Sequence, residues 1–150
     1  QLNRMALALA GPQPDDRPDY GAPPTDRLVR GGRAVFFSDF LGDLDALLPA
    51  LTHAGDQGVR GVLVQVLDES EEAFPFDGRL IFESMGGGTE FETQRARALR
   101  GAYQERLAAR RAEVAALAAR YGWRVLFHRT SQSPRSALLW LYVAIGDGRG

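Results

Sequence analysis

Three short apolar runs, each rich in β-branched and aromatic residues, constrain the fold of this chain most strongly. They are RAVFF at 33–37, VLVQVL at 62–67 and WRVLFH at 123–128. Continuous apolar runs of this length are typical of strands that are buried on both faces. Segments with helical spacing separate them, and this order predicts right-handed crossovers between parallel strands of one sheet.

A helical pattern follows the first of these runs. Four leucines recur there at helical spacing, at Leu44, Leu47, Leu48 and Leu51. Pro49 interrupts this pattern, and we expect it to kink or restart the helix because proline lacks a backbone N–H. Gly58 should end the helix before the second apolar run begins.

The connection between the second and third runs is longer. The acidic, proline-broken segment at 68–78 is followed by RLIFES and GGGTEFET, whose three glycines predict a β-hairpin anchored by Phe82 and Phe91. A long helix is then predicted over about 94–120, with Gly122 just beyond its end. A final helix is predicted from Pro134 onwards. The sequence therefore predicts a doubly wound, mainly parallel, Rossmann-like α/β sheet with an inserted β-hairpin.

The chain divides into two parts by composition. Residues 2–10 have the pattern of a short helix, and residues 11–32 hold five of the eight prolines, which is typical of a loop or linker. We therefore expect 1–32 to be a helix plus a partly disordered linker, and 33–150 to be the folded domain. Because the chain begins with Gln1, we also expect it to be a fragment cut from a longer protein.

The missing residue types exclude many kinds of site. The chain has no cysteine, and all 18 of its basic residues are arginine, so thiol chemistry, Schiff-base lysines and the lysine of a phosphate-binding loop are absent. A net charge of −1 argues against a general nucleic-acid binder. No apolar run is long enough to span a bilayer and no signal peptide is evident, which favours a cytoplasmic location.

Polar residues follow the predicted strands at the edge where open parallel sheets bind ligands. They are Ser38 and Asp39, Asp68, and the corner at Thr130 and Ser131. Asp39 and Asp68 could together serve a hydrolase that acts on phosphorylated or nucleotide substrates.

Two further acids, Asp43 and Asp45, lie just beyond the first strand end. They match only part of the D-x-D-x-[TV] pattern of aspartyl phosphatases, because Leu47 stands where the pattern has a hydroxyl or valine. We expect Asp43 to cap the following helix and Asp45 to interact favourably with its dipole.

Several segments after residue 33 resemble the bacterial "domain of unknown function 58" family. They are AVFFSDFLGDLDALLPAL, GVLVQVLDESEEAFPFDGRLIFES, AYQERLAARRAEVAALAARYGW and TSQSPRSALLWLYVAIG, and the D-x-x-E-x-x-F-P-F-x-G-R run is the most specific. The resemblance implies a von Willebrand factor A-like domain, here truncated at its N-terminus, and a MoxR-type AAA+ ATPase as protein partner. On this basis the chain is expected to be a non-catalytic protein–protein interaction module.

The resemblance also implies a position for Mg²⁺. In von Willebrand A-like domains the ion is held by a D-x-S-x-S loop, a separate threonine and an aspartate after a later strand; Asp39 falls on the last position, with Ser38 next to it. No D-x-S-x-S occurs in the chain. Since Mg²⁺ demands near-octahedral coordination, we expect no cofactor on this chain and an incomplete metal site at Asp39, with a weaker role for Ser38.

Two more expectations concern packing. Arg110 lies in the middle of the apolar face of the long helix, where it would either extend its head to water or pair with Asp68 or Glu72. The strand at 34–38 would form an exposed sheet edge, through which we expect the chain to self-associate. We expect His128 to be structural, and the arginine-rich helix face to be solvated rather than bound to nucleic acid.

Overall fold

A computed structural model describes residues 28–73 and 89–146, together with Pro23. For residues 73 and 89–98 it describes the backbone of the helices but not the side chains. The predicted helix at 2–10, nearly all of the linker and the first arm of the predicted hairpin, with Phe82, lie outside the described residues.

Three strands form the sheet, and they coincide with the three apolar runs. β1 spans Arg33–Ser38, β2 spans Arg60–Leu67 and β3 spans Arg124–Arg129. Their order is β1-β2-β3 and both pairings are parallel, with Val35 opposite Val62 and Val64 opposite Leu126. The prediction of an α/β fold with a parallel sheet is confirmed.

The described residues also form a 3-10 helix and four α-helices, of which the last follows β3. The 3-10 helix spans Leu44–Leu47, and the α-helices are α1 at Leu48–Asp56, α2 at Glu69–Ala73, α3 at Thr89–Arg120 and α4 at Pro134–Gly146. No helix in the described part of the chain is long and apolar enough to cross a membrane.

The predicted helix after β1 is divided where proline requires it. Asp43 caps the 3-10 helix, since its Oδ1 accepts a hydrogen bond of 2.9 Å from the backbone N–H of Asp45. Pro49 then lies in the first turn of α1, where its missing N–H costs no helical hydrogen bond. Gly58, at φ +63°, follows the end of this helix. The predicted cap, restart and end are all confirmed.

The long helix begins earlier than predicted. Residues 89–93, expected in the second arm of a hairpin, are the first residues of α3, and that part of the hairpin prediction is wrong. The glycines favoured a turn, but the T-x-x-E sequence that starts at Thr89 is also a common helix start. The helix ends at Arg120, and Gly122 follows it with φ +68°, as its position predicted.

Helices cover both faces of the sheet because neighbouring strand residues point in opposite directions. On one face Leu51 of α1, Leu63 of β2 and Val114 of α3 belong to one fully buried cluster. On the other face Val62 and Val64 of β2 pack with Leu141 of α4.

The strands differ in how deeply they are buried. β2 is buried almost throughout, whereas most of β1 and β3 is only half-buried or exposed. The expectation of full burial is therefore wrong for β1 and β3. Within the described residues each of them has a strand neighbour on one side only, so less of its surface is covered.

Trp123 anchors the start of β3 against the other strands. Its ring lies 5.0 Å from the ring of Phe36 between centroids, and its Nε1 donates to the carbonyl of Val59 at 3.3 Å. A Cβ at Gly61 would lie only 2.6 Å from the indole and 2.7 Å from the carbonyl oxygen of Ala34. Gly61 therefore allows the indole to pack directly on the backbone of β2.

Candidate functional site

At the carboxyl edge of the sheet, a turn follows β1. The Ser38 hydroxyl accepts a hydrogen bond from the N–H of Phe40 at 3.1 Å, and Asp39 Oδ1 accepts one from the N–H of Leu41 at 3.0 Å. Phe40 has a positive φ of 51° and its side chain is buried. Such a backbone is rare for a bulky residue, and burial of the ring helps to hold it. Ser38 and Asp39 therefore fix the shape of this turn.

At the end of β2, Asp68 accepts hydrogen bonds from two directions. Its Oδ1 accepts from the N–H and the hydroxyl of Ser70 at 2.8 and 2.6 Å, and its Oδ2 accepts from the hydroxyl of Thr130 at 2.6 Å. The Ser70 and Thr130 contacts lower the pKa of Asp68 from 3.8 to about 2. Asp68 is therefore ionised near neutral pH and joins the end of β2 to the corner after β3.

Asp68 also starts helix α2. The backbone N–H of Asp68 donates to Glu71 Oε2 at 2.8 Å, while the side chain of Asp68 accepts from the N–H of Ser70. This reciprocal arrangement is a capping box, which satisfies donors that a helix start would otherwise leave open. It directs the next residue, Glu72, back across the sheet edge.

Glu72 lies between two arginines from different elements. Its Oε1 forms an ion pair with Arg111 of α3, and its Oε2 forms one with Arg129 at the end of β3. Only 10% of the Glu72 side chain is exposed, against 27% for Arg111 and 49% for Arg129. A nearly buried carboxylate of this kind is stabilised only while its partners remain in place.

Gln65 extends these contacts to the turn after β1. Arg111 Nε donates to Gln65 Oε1 at 3.1 Å, and Gln65 Nε2 donates to the carbonyl of Asp39 at 2.6 Å. We call the five residues Asp39, Gln65, Glu72, Arg111 and Arg129 the Glu72 network. It connects the carboxyl ends of all three strands to α2 and α3.

An open depression of about 510 Å³ lies beside the network. It is lined by Glu69, Glu72, Gln104, Leu107, Ala108, Arg111 and Arg129. Both signs of charge border an apolar floor, and the guanidinium of Arg111 also lies 5.3 Å from the centre of the Phe127 ring. Such a surface can accept a charged side chain together with its apolar stem.

A family model described as "Protein of unknown function DUF58" matches residues 2–113. The chain belongs to the DUF58 family. No curated protein and no solved structure matched the chain. The matched region includes β1, β2 and the network residues as far as Arg111, while β3 and α4 lie beyond its end.

The site residues that we predicted for this DUF58 chain lie at the carboxyl edge of the sheet. Some of their contacts differ from those that we predicted. Asp39, Asp68 and Thr130 all lie at the carboxyl ends of strands, and the carbonyl of Asp39 joins the network through Gln65. Arg110 forms an ion pair of 3.1 Å with Glu113, one turn along its own helix. The arginine of this helix that pairs with Glu72 is its neighbour Arg111.

The sequence contained one overlooked signal for this network. Gln65 interrupts an otherwise apolar run, and a polar side chain in a buried strand needs hydrogen-bond partners. It is 1% exposed and is the one buried polar residue of the described part of the chain. That position could have been singled out from sequence, although its partners could not.

The described residues do not fit a magnesium site. Among the side chains that the structure describes, at 28–72 and 99–146, no group of three or more His, Asp or Glu residues is placed to hold a metal ion. Asp39 and Asp68 both accept hydrogen bonds from nearby donors, whereas a hard cation needs several oxygen ligands directed at one point. We therefore assign no chemistry through Mg²⁺ to this part of the DUF58 chain.

A second surface of the DUF58 chain lies on helix α4. One stripe of the helix packs on the sheet through Leu141, Ala144 and Ile145. The remaining faces are also apolar and between 37% and 76% exposed, at Leu138, Leu139, Trp140, Tyr142 and Val143. A helix that is apolar on all sides is usually covered on all sides, and exposed apolar patches commonly mark binding surfaces.

Proposed function

We propose that this DUF58 chain is part of a non-catalytic protein–protein interaction module of von Willebrand A-like architecture that acts in the cytoplasm. The exposed apolar surface of α4 is the observation that carries this proposal. We further propose that its partner is a MoxR-type AAA+ ATPase, which rests on the family resemblance.

The α4 surface has the composition of a binding site. It combines an aromatic residue at 142, 76% exposed, with two leucines at 138 and 139 that are 63% and 59% exposed. Tyrosine and tryptophan are enriched among residues that dominate binding energies, and Trp140 belongs to the same surface. Covering the exposed part of one such leucine contributes about 1–2 kcal/mol, since full burial of a leucine contributes about 1.5–3 kcal/mol.

The carboxyl edge of the sheet supplies a second contact region in this proposal. The depression beside Glu72 and Arg129 offers charged groups that can select a partner with complementary charges. The family resemblance suggests that the intact protein carries Mg²⁺ at this edge, with Asp39 as one ligand. Because the described residues alone form no such site, the other ligands would come from elsewhere in that protein or from an acidic residue of the partner. The ion and its other ligands are expectations from the family resemblance.

The exposed edge of β1 would allow the chain to associate with itself. Among the described residues β1 pairs with β2 alone, and Phe37 on this edge strand is 61% exposed. An unpaired apolar strand edge is a template for pairing with another strand. We propose that self-association occurs here, separately from partner binding through α4.

The partner proposal is tested with the full-length protein and a purified MoxR-type AAA+ ATPase from the same organism. Affinity is measured by calorimetry with and without Mg²⁺. We expect Leu139→Asp to weaken binding about tenfold or more, because it removes an apolar contact and adds a charge. The matched control is Arg135→Ala, an exposed change on the same helix, which should alter the affinity less than about twofold.

Three results separate the parts of the proposal. Binding that is lost with Leu139→Asp but not with Arg135→Ala supports the α4 surface. Binding that requires Mg²⁺ and Asp39 supports the metal-dependent edge. No measurable binding to the ATPase under either condition contradicts the choice of partner.

The hydrolase that would use Asp39 and Asp68 stays a prediction. Asp39 accepts a hydrogen bond from within its own turn, and both oxygens of Asp68 accept hydrogen bonds from Ser70 and Thr130. These contacts give both carboxylates a structural role that requires no substrate.

A further inference from the structure

Each strand of the sheet begins with an arginine. Arg33 is the first residue of β1, Arg60 of β2 and Arg124 of β3. Arg33 pairs with Arg60 across the sheet, and Arg124 pairs with Val62, two residues further along β2. Arg33 and Arg60 therefore lie side by side at the amino edge, with Arg124 two residues further along, and this edge is opposite the one that holds the Glu72 network.

All three point to the same face of the sheet. Side chains two residues apart on a strand share a face. Val35, Val62 and Leu126 belong to the cluster under α4, and each lies two residues after one of the arginines. The guanidinium groups consequently meet below the C-terminal end of α4.

A cleft of about 200 Å³ is present at this position, which we call the arginine cleft. It is lined by Arg33, Arg60, Gly61, Gly122, Arg124, Ala144 and Ile145. None of these lining residues carries a carboxylate.

The C-terminus of α4 neutralises only a small part of the positive charge of these arginines. Arg33 Nε donates to the carbonyl of Ile145 at 3.1 Å, which caps the helix. A helix C-terminus carries about half of a negative charge, whereas Arg33 and Arg60 alone carry two positive charges. Arg124, the third arginine of the cleft, makes a further contact of its own.

We propose that the arginine cleft binds the phosphate group of a small phosphorylated anion. The planar guanidinium fork donates two parallel hydrogen bonds and matches the oxygens of a phosphate. The sheet fixes the backbones of Arg33 and Arg60 opposite each other, and both residues line the cleft. The cleft is independent of the α4 surface and of the carboxyl edge.

The test uses the 150-residue chain and two probes, inorganic phosphate and pyrophosphate. Binding is followed by calorimetry and by phosphorus NMR, with sodium chloride used to match the ionic strength. We expect saturable binding of one ion per chain, with pyrophosphate binding more tightly than phosphate because it carries more charge.

Arg60→Gln is the informative variant, because Arg33 also caps α4 and its loss would disturb that helix. We expect Arg60→Gln to weaken pyrophosphate binding about tenfold or more, as loss of one charge-assisted contact implies. Arg60→Lys retains the charge without the planar fork. Its affinity for pyrophosphate should lie between those of Arg60→Gln and the native chain. Arg106→Gln, an exposed change on α3, is the matched control. Its affinity for pyrophosphate should stay within about twofold of that of the native chain.

Several results would overturn the proposal. They are the absence of saturable binding at matched ionic strength, an equal loss in Arg60→Gln and Arg106→Gln, and tighter binding of citrate than of pyrophosphate. Circular dichroism checks that each variant is folded. If Arg60→Gln does not fold, native affinity in Arg60→Lys would equally exclude recognition by the guanidinium fork.

Discussion

The side-chain amide of Gln65 donates to the main-chain carbonyl of Asp39 at 2.6 Å, while its oxygen accepts from Arg111. A single buried side chain on the central strand thus holds the turn after β1 and the middle of α3 in fixed positions. The amide needs both contacts, because a buried polar group without a partner is costly.

Replacing Gln65 by leucine should therefore destabilise the chain. The change leaves the Asp39 carbonyl and Arg111 Nε without this partner, and we expect the free energy of unfolding to fall by about 1–3 kcal/mol. Urea denaturation measures the effect. Gln104→Leu, on the exposed rim of the depression, is the control and should change stability by no more than about 0.5 kcal/mol. Equal stability of the two variants would contradict a structural role for Gln65.

Glu72 should be coupled energetically to Arg111. We expect Glu72→Gln to destabilise the chain by about 1–3 kcal/mol, because two arginines then lose their common carboxylate. In a double-mutant cycle with Arg111→Met, the coupling energy should be about 1 kcal/mol or more. Strictly additive effects would show that the ion pair contributes little. The Arg110–Glu113 pair is the matched control, where coupling below about 0.5 kcal/mol is expected because Glu113 is 60% exposed.

The lowered pKa of Asp68 makes stability depend on pH. Its pKa is about 2 in the folded chain and has an ordinary value of 3.8, so the unfolded chain binds the proton more readily. The contribution of Asp68 is thus fully present above about pH 4 and is lost as the pH falls towards 2. Thermal unfolding followed between pH 5 and pH 2 should show a shallower acid dependence in Asp68→Asn than in the native chain. An unchanged slope would argue against the contacts with Ser70 and Thr130, and Asp56→Asn serves as an exposed control.

Replacing Gly61 and Gly101 by alanine should change the stability of the chain in opposite directions. Gly61→Ala should destabilise the chain by about 1–3 kcal/mol, because the added Cβ would meet the Trp123 ring at 2.6 Å. Gly101, within α3, has no atom within 4 Å of such a Cβ, so Gly101→Ala should stabilise the chain by up to about 1 kcal/mol. Denaturant midpoints for both variants provide the comparison. A neutral Gly61→Ala would mean that the indole does not pack on β2 as described.

The sheet edge should make association depend on concentration. Sedimentation of the native chain should show a species larger than the monomer that grows with concentration, because the edge of β1 is apolar. Phe37→Lys places a charge on this strand and should shift the distribution towards the monomer. Leu138→Lys, an equally exposed change on α4, is the control that separates the two surfaces. A monomer at all concentrations would contradict self-association.

The strands and their direction were predictable because they depend on local patterns. Three apolar runs, a proline at 49 and glycines at 58 and 122 each act through backbone preferences that a short window reveals. The start of α3 was missed because the glycines at 86–88 and the T-x-x-E sequence at Thr89 favour different structures. Only the packing of the whole chain decides between them.

The contacts of the candidate site were harder to predict. Gln65 and Arg111 are 46 positions apart, and no local pattern specifies which side chains meet over such a separation. Arg110 and Arg111 differ by about 100° around the helix, and the apolar face drew attention to the former. The capping box at Asp68 sets the direction of Glu72, and Glu72 consequently pairs with Arg111 rather than with Arg110.

Helix α3 is much longer than the sheet on which it packs. Its 32 residues span about 48 Å, whereas the eight residues of β2 span about 26 Å. The part of the helix that precedes Arg111 is therefore about 33 Å long, and Arg111 is the residue of this helix that meets Glu72 and Gln65. A displacement of the helix start at Thr89 would therefore be transmitted through Arg111 to Glu72 and Gln65, at the carboxyl ends of the strands.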